Sequence, residues 1–247
     1  MRIAALYDIH GNLPALEAVL DDVREAGVER IVVGGDVVPG PMPRDTLAAL
    51  LDCGLPVQFI YGNGEVAALE SIAGRTSPKV PPVYEPVMQW TAQQLRQYEQ
   101  AIAAWPMTLR LEIDGMGPVL FCHATPRNED EIFTRLTPED RLRPVFEAAG
   151  VPLVVCGHTH MPFDRMVGTT RVVNAGSVGM PFGTQGADWL LLGPDVQLRR
   201  TPYDVQRAVE RLREAGCPNV EDLFVGNLLR PPSEAQMLEM YAPAELS

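Results

Sequence analysis

Lysine, histidine and cysteine are scarce in this 247-residue chain, and it has no long apolar run. Each shortage excludes something. Lys79 is the only lysine, and 20 basic against 32 acidic residues leave a formal charge of −12. That balance argues against a non-specific grip on a nucleic-acid backbone, and the local cluster Arg199, Arg200, Arg207, Arg211 and Arg213 reads as a solvated helix face before a nucleic-acid patch, so no nucleic-acid partner is expected. The excess acid serves solubility, and carboxylates that ligate ions would account for part of it. The four cysteines, Cys53, Cys122, Cys156 and Cys217, form no C-x-x-C pair. A thiolate zinc module and a disulfide framework are both left without support. No segment approaches the roughly 18 apolar residues of a membrane span. Ile3–Tyr7 is also far too short for the core of a signal peptide. The expectation is a cytoplasmic protein with no membrane attachment.

What is present is ordinary globular composition, 46% hydrophobic and 21% charged, at a length for one large α/β domain or two small ones. Ile3–Tyr7 reads as a buried strand. Leu13, Leu16, Leu20 and Val23 then recur at helical spacing, with Pro14 suited to the first turn and Gly27 to the end. A second strand at Ile31–Val33, a helix at Thr46–Leu51 and a third strand at Val57–Tyr61 continue a β-α-β alternation, which implies a largely parallel sheet. Residues 66–118 break the pattern. Pro78, Pro81, Pro82 and Pro86 mark a loop before a glutamine-rich helix at Val87–Ala104, so the region is either an insertion bordering a site or a plain connection. Leu109–Ile113 and Val119–Cys122 read as a hairpin. A helix at Pro138–Ala149 and strands at Leu153–Cys156, Thr170–Val173 and Trp189–Leu192 follow. The division is a domain over residues 1–200 with its insertion at about 66–118, and a helical tail over 201–247. The tail's Leu223, Phe224, Val225, Leu228 and Leu229 cover either the chain's own core or a second subunit in a homo-oligomer.

All four histidines lie in short motifs: Asp8-Ile9-His10-Gly11-Asn12, His123, and Gly157-His158-Thr159-His160, with Gly35-Asp36 and Gly62-Asn63 completing the series. Each follows a short apolar run. Residues two apart in extended chain project to one side, so Asp8 and His10 can reach one ion together, as can His158 and His160. Ligands leaving the carboxyl ends of several strands converge on the edge where open α/β sheets bind ligands. A set of imidazole, carboxylate and amide oxygen without thiolate suits Mn, Fe, Zn, Ni or Mg better than a structural tetrahedral zinc.

The order D-x-H, G-D, G-N, H, G-H-x-H from Asp8 to His160 resembles the calcineurin-like metallophosphoesterases. The opening motif and Asn174-Ala175-Gly176-Ser177-Val178-Gly179 are similar to its small bacterial and archaeal phosphodiesterase branch. The resemblance implies two stacked mixed β-sheets flanked by helices, a four-layer α-β-β-α sandwich with a two-metal site at one edge. Carried over by position, Asp8, His10 and His160 would hold one divalent ion, Asn63, His123 and His158 the other, and Asp36 would bridge them. Mn is favoured among the candidate ions, and Asn63 and His123 are also expected to serve catalysis. A small phosphoester, a diester before a monoester, would be hydrolysed by hydroxide bridging the metals. The family's substrate-contacting asparagine matches Asn12, for which the start of the helix near Pro14 is the other reading. Arg127 either anchors phosphate or forms a surface ion pair.

One position departs. Where the family has G-N-H followed by Asp or Glu, this chain has Gly62-Asn63-Gly64-Glu65. The absent histidine is the one held to protonate the leaving group, a role worth typically 10²–10⁴-fold. Three outcomes are open: a substrate with a good leaving group, such as an aryl diester or phosphoanhydride; a substitute such as Tyr61 or Arg127; or a metal-bound scaffold without catalysis. A protein serine/threonine phosphatase shares the motifs as well. On this reading Gly64→His should favour poor leaving groups, and Glu65 is a solvated carboxylate at a helix N-terminus.

Overall fold

The structure, a computed structural model, describes residues 1–246. In chain order its elements begin β1 (Ile3–Leu6), α1 (Leu13–Glu25), β2 (Arg30–Val33), α2 (Pro43–Leu51), β3 (Val57–Phe59) and α3 (Asn63–Ile72). Next come α4 (Glu85–Leu95), α5 (Glu99–Ala103), β4 (Thr108–Ile113), β5 (Gly117–Cys122), α6 (Glu139–Phe146), β6 (Leu153–Cys156), β7 (Phe163–Val167) and β8 (Thr170–Asn174). The last are β9 (Ala187–Leu192), β10 (Val196–Thr201), α7 (Val205–Glu214), α8 (Gly226–Leu229) and α9 (Glu234–Tyr241).

The strands form two five-stranded mixed sheets, ordered β10-β9-β1-β2-β3 and β4-β5-β6-β8-β7. β1, β2 and β3 run parallel, as do β5, β6 and β8. The edges β10, β4 and β7 are antiparallel to their neighbours. Side-chain alternation sorts residues into layers. Ile3, Ala5 and Tyr7 pack with Val32, Val119, Phe121 and Val155 between the sheets. Ala4, Leu6, Ile31 and Val33 pack instead with Leu16, Val19 and Val23 of α1. Leu120, Val154 and Cys156 face Leu142 and Phe146 of α6 on the other outer side. Helix, sheet, sheet and helix therefore stack in four layers. Strands buried on both faces are the ones that read as unbroken apolar runs.

Tyr7 ties the sheets together. It is fully buried, and its hydroxyl donates to Val155 O at 3.1 Å. A Cβ at Gly34 would fall on its ring, and one at Gly157 would come within 2.5 Å of Tyr7 Cδ1 and of Asp8 Oδ2.

Three elements escape the sequence pattern. β7 and β10 are edge strands of mixed polarity, and four of the six β10 side chains are exposed. α3 starts inside the Gly62-Asn63 motif, where no apolar spacing marks it. The single helix expected over Val87–Ala104 is interrupted by a 3-10 turn at Arg96–Tyr98. Within residues 66–118, Ala68, Ile72, Ala92, Leu95 and Ile102 join the main core. In the tail, Leu223 and Phe224 pack with Val87 and Met180, while Val225 and Leu228 pack with Val205, Val209 and Leu212. These side chains are thus buried within the chain itself. Among the described residues, no helix is long and apolar enough to cross a membrane.

Gly34→Ala is expected to cost about 3 kcal/mol or more, the upper range for overpacking, because its Cβ would overlap the fully buried Tyr7 ring. Tyr7→Phe, which removes only the hydrogen bond, should cost about 1 kcal/mol. Chemical denaturation of both variants measures the difference, and equal losses would contradict the sandwiched ring.

Candidate metal centre

Five strands deliver the candidate ligands from their carboxyl ends. Asp8 and His10 follow β1, Asp36 follows β2, Asn63 follows β3, His123 follows β5, and His158 and His160 follow β6. Cross-links between the loops fix their relative positions: Asp8 N donates to Gly35 O at 3.1 Å, His10 N to Asp36 O at 3.0 Å, and Gly157 N to His123 O at 2.8 Å. The backbone turns sharply here. Asp8 (φ 54°), His10 (49°), Asp36 (51°), His158 (67°) and His160 (57°) all adopt left-handed φ, joined among the described non-glycine residues only by Asn219 and Leu246. Such angles cost of order 1–3 kcal/mol each and persist where surrounding structure over-determines them. Their concentration at five of the seven candidate ligands marks the functional site.

The donor atoms face one another. His160 Nε2 stands 3.3 Å from Asp8 Oδ1 and 3.1 Å from His10 Nε2. On the other side, His123 Nε2 stands 3.1 Å from Asn63 Oδ1 and 3.5 Å from Asp36 Oδ1. Asp36 reaches both halves, with Oδ2 3.8 Å from His10 Nε2. Asp8 does likewise, since its Oδ1 lies 3.8 Å from His123 Nε2. His158 donates its backbone N–H to Asp8 Oδ2 at 2.8 Å, and its ring meets that of His123 edge-on at 5.1 Å.

Whether these residues fit metal follows from the imidazole partners. Nδ1 of His10 faces Pro39 O (3.3 Å), Nδ1 of His123 faces Gly34 O (2.9 Å) and Nδ1 of His160 faces Met180 O (2.9 Å). A carbonyl only accepts, so each Nδ1 carries the hydrogen and each Nε2 turns a lone pair inward. Two lone pairs 3.1 Å apart on His10 and His160 repel unless a proton or a cation lies between them. Asp8 Oδ1 is buried without a hydrogen-bond partner. The donor set fits divalent cations.

Titration follows the same logic. Burial opposes ionisation of Asp8, but the charges of His160, His123 and His10 draw its carboxyl well below the usual range. Burial lowers His158 to about 4, helped by the charge of His123. Burial also lowers His10. For His123, burial is outweighed by Asp36 and Asp8, and for His160 by Asp8, so both are raised.

Glu65 is not a solvated carboxylate. It is fully buried and accepts from Asp36 N and Gly62 N at 2.8 Å and from Val38 N at 3.2 Å, binding the Asp36 loop to the start of α3. Burial and the neighbouring Asp36 push its pKa up to about 8. As third residue of α3 it returns to the N-cap backbone N–H of Gly62, the carboxylate half of a capping box, and that spacing is the signal that could have found this role.

Gly64 is equally constrained. Its N–H donates to Asp36 Oδ1 at 2.7 Å, and a Cβ there would overlap Val38 O and approach Asp36 Oδ1 to 2.8 Å. The loop over Val38–Pro39 occupies the space a side chain at 64 would need. This overturns the expectation that a histidine could be restored there.

Two further candidates have hydrogen-bond partners within the chain. Asn12 is the N-cap of α1: Oδ1 accepts from Ala15 N at 3.2 Å and Nδ2 donates to Gly179 O at 2.9 Å, so both ends of its amide are engaged. Arg127 is 55% exposed and forks onto Glu131, with Nε 3.0 Å from both carboxylate oxygens. Ser177 Oγ donates to Asp8 O at 2.7 Å and accepts from Met180 N, which makes it a brace for the ligand loops.

Residues 1–194 match the calcineurin-like phosphoesterase superfamily domain, and the chain belongs to that superfamily. It is 28% identical over 248 residues to the uncharacterized protein MJ0912 of Methanocaldococcus jannaschii, across 91% of this chain and 98% of that one. Its fold is similar to a metallophosphoesterase from Sphaerobacter thermophilus, with TM-score 0.69 and 30% identity over 92% of this chain and 98% of the other. It is also similar in fold to the hypothetical protein PH1004 of Pyrococcus horikoshii OT3, with TM-score 0.76 and 21% identity over 92% and 97% of the two chains. The chain is a metal-dependent hydrolase acting on phosphoric ester bonds.

Two outcomes follow from the geometry. Gly64→His should destabilise the protein by about 3 kcal/mol or more and weaken metal binding, because the Asp36 loop must move; a variant as stable as wild type would contradict the packing. In the metal-free protein, the raised His123 and His160 contribute stability that is present below about pH 6.5 and lost as pH rises through their raised values. Metal must displace these protons, so Mn²⁺ uptake near pH 7 should release protons. Calorimetry in buffers of different ionisation enthalpy reads that release, and a binding heat independent of buffer would exclude it.

Proposed function

We propose that the protein hydrolyses small phosphodiesters at a centre of two divalent ions, with Mn²⁺ favoured. The observation that carries this is the convergence of Asp8, His10, Asp36, Asn63, His123 and His160, with the lone pairs of the three histidines turned inward, Asp8 Oδ1 unpartnered and the His158 ring edge-on to His123. Bound there, the ions would supply a water acidic enough to act at neutral pH and positive charge against the phosphoryl oxygens. Asp8, His10 and His160 hold one half, Asn63, His123 and His158 the other, and Asp36 stands between them. The carbonyls of Pro39, Gly34 and Met180 orient the imidazoles, and the dry setting strengthens every charge interaction inside.

The preference for a diester rests on charge and on Gly64. A monoester dianion asks for more positive charge than a diester monoanion. Arg127, on the loop after His123, is committed to Glu131, and Lys79 is committed to Asp130 on the same loop. With no histidine at 64, aryl diesters and phosphoanhydrides are the substrates whose leaving groups need least protonation. Retention of the complete ligand set favours catalysis over a scaffold role. Four unpaired cysteines fit a reducing, cytoplasmic setting.

Metal-stripped protein should gain hydrolysis of bis-p-nitrophenyl phosphate on addition of Mn²⁺, faster than hydrolysis of p-nitrophenyl phosphate. Asp36→Asn should lower the rate by at least about 10²-fold. Faster monoester turnover would reverse the substrate assignment, and Mn²⁺ binding without turnover of either ester would leave the scaffold reading.

A further inference from the structure

Asp8 and His160 arrive from different sheets, on the loops after β1 and β6, yet Asp8 Oδ1 and His160 Nε2 stand 3.3 Å apart. A third segment joins these two loops: residues 175–180, between β8 and β9, all of them buried. Its hydrogen bonds form a continuous chain. Ser177 Oγ donates to Asp8 O at 2.7 Å and accepts from Met180 N at 2.8 Å, and Met180 O accepts from His160 Nδ1 at 2.9 Å. With the facing donor atoms this closes a ring that runs from Asp8 through Ser177, Met180 and His160 back to Asp8. Val178 N and Gly179 N add bonds to Tyr7 O and Asp8 O, each at 3.0 Å. The approach is so close that a Cβ at Gly179 would overlap Ile9 O. The segment is itself anchored, since Ala175 N donates to Cys156 O at 2.8 Å and Asp188 N of β9 to Ser177 O at 2.9 Å.

The other half of the centre is held by different groups. Glu65 gathers Asp36 N and Gly62 N, and His123 Nδ1 rests on Gly34 O. Among the described residues, no hydrogen bond joins 175–180 to Asp36, Asn63, Glu65 or His123. Ser177 is the one side chain in the ring that is not a candidate ligand and whose polar atom makes two of its links. It is fully buried, so removal of its hydroxyl would leave Met180 N–H without a partner and free the carbonyl that orients His160.

We propose that Ser177 is a positioning residue for one ion of the pair, the one held by Asp8, His10 and His160, and that it sets the affinity of that half independently of the half around Asn63 and His123. This rests on the two-ion reading above. The two halves share Asp36 but are braced by separate parts of the chain, so one can be loosened while the other keeps its grip.

The test titrates metal-stripped wild type, Ser177→Ala and Ser177→Thr with Mn²⁺ by calorimetry, beside the thermal midpoint of each metal-free protein. Anomalous scattering from crystals soaked in Mn²⁺ tells which half holds each ion. Ser177→Ala should weaken one of two ions by about 10- to 100-fold, the usual cost of losing a group that orients a ligand, and leave the other within about threefold. The lost occupancy should lie beside His10 and His160, and Ser177→Thr, which keeps the hydroxyl, should recover most of the affinity. A measurement on wild type holds even where a variant does not fold. In a titration with diamagnetic Zn²⁺ followed by ¹⁵N NMR, the Met180 amide should move in step with His160 and not with His123. Equal weakening of both ions, unchanged Mn²⁺ affinity, or a folded Ser177→Thr no better than Ser177→Ala overturns the proposal. So does a Met180 amide that moves with His123, or one step common to all three. A lowered midpoint with both affinities intact would show that Ser177 only braces the fold. Wild type that takes up a single ion sinks the two-ion reading and the proposal with it, whereas two ions in wild type weakened alike in Ser177→Ala sink the proposal alone.

Discussion

Side chains that repel one another are held face to face here because their backbones cannot turn away. Two carboxylates and three imidazole lone pairs point at a common space, and Asp8 Oδ1 finds no donor at all. Left-handed backbone at Asp8, His10, Asp36, His158 and His160 stores further cost. The sheet packing offsets this. Of the strands that carry the ligands, β1, β2 and β6 are buried on both faces, and the Tyr7 hydroxyl joins the two sheets beside the site. Rigidity of the strand ends is thus the condition under which a centre starved of positive charge can exist in a folded chain.

Gly64 and Glu65 show how tightly the second wall is drawn. Glu65 gathers the N–H groups of Asp36, Val38 and Gly62, and that gathering brings Val38 O against Gly64. Glycine at 64 is therefore a consequence of the loop's path rather than a vacancy in an otherwise usual site. A protein built in this way has to find hydrogen-bond donors for its substrate elsewhere in the chain.

Much of the arrangement was legible in the sequence, and its limits have physical causes. Histidine is so scarce that its placement after apolar runs carried information, and central strands announce themselves as apolar because both faces are buried. Edge strands β7 and β10 do not, since one face meets solvent. The roles of Asn12, Arg127 and Glu65 turned on burial and on which partner each side chain met. Asn12 could equally cap a helix or meet phosphate, and its partner Gly179 O is too remote in sequence to be foreseen. Glu65 looked solvated because its neighbours in sequence are unremarkable, whereas its partners lie on another loop.

The order of the parts along the chain has a consequence for synthesis. Every candidate ligand has emerged by His160, while residues 245 and 246, which bond to Thr134 and Ile132, come last among the described residues. A chain still being made can therefore gather its ligand loops before the tail reaches the loop that follows His123. Folding of the ligand half and docking of the tail are separated in time by the direction of translation.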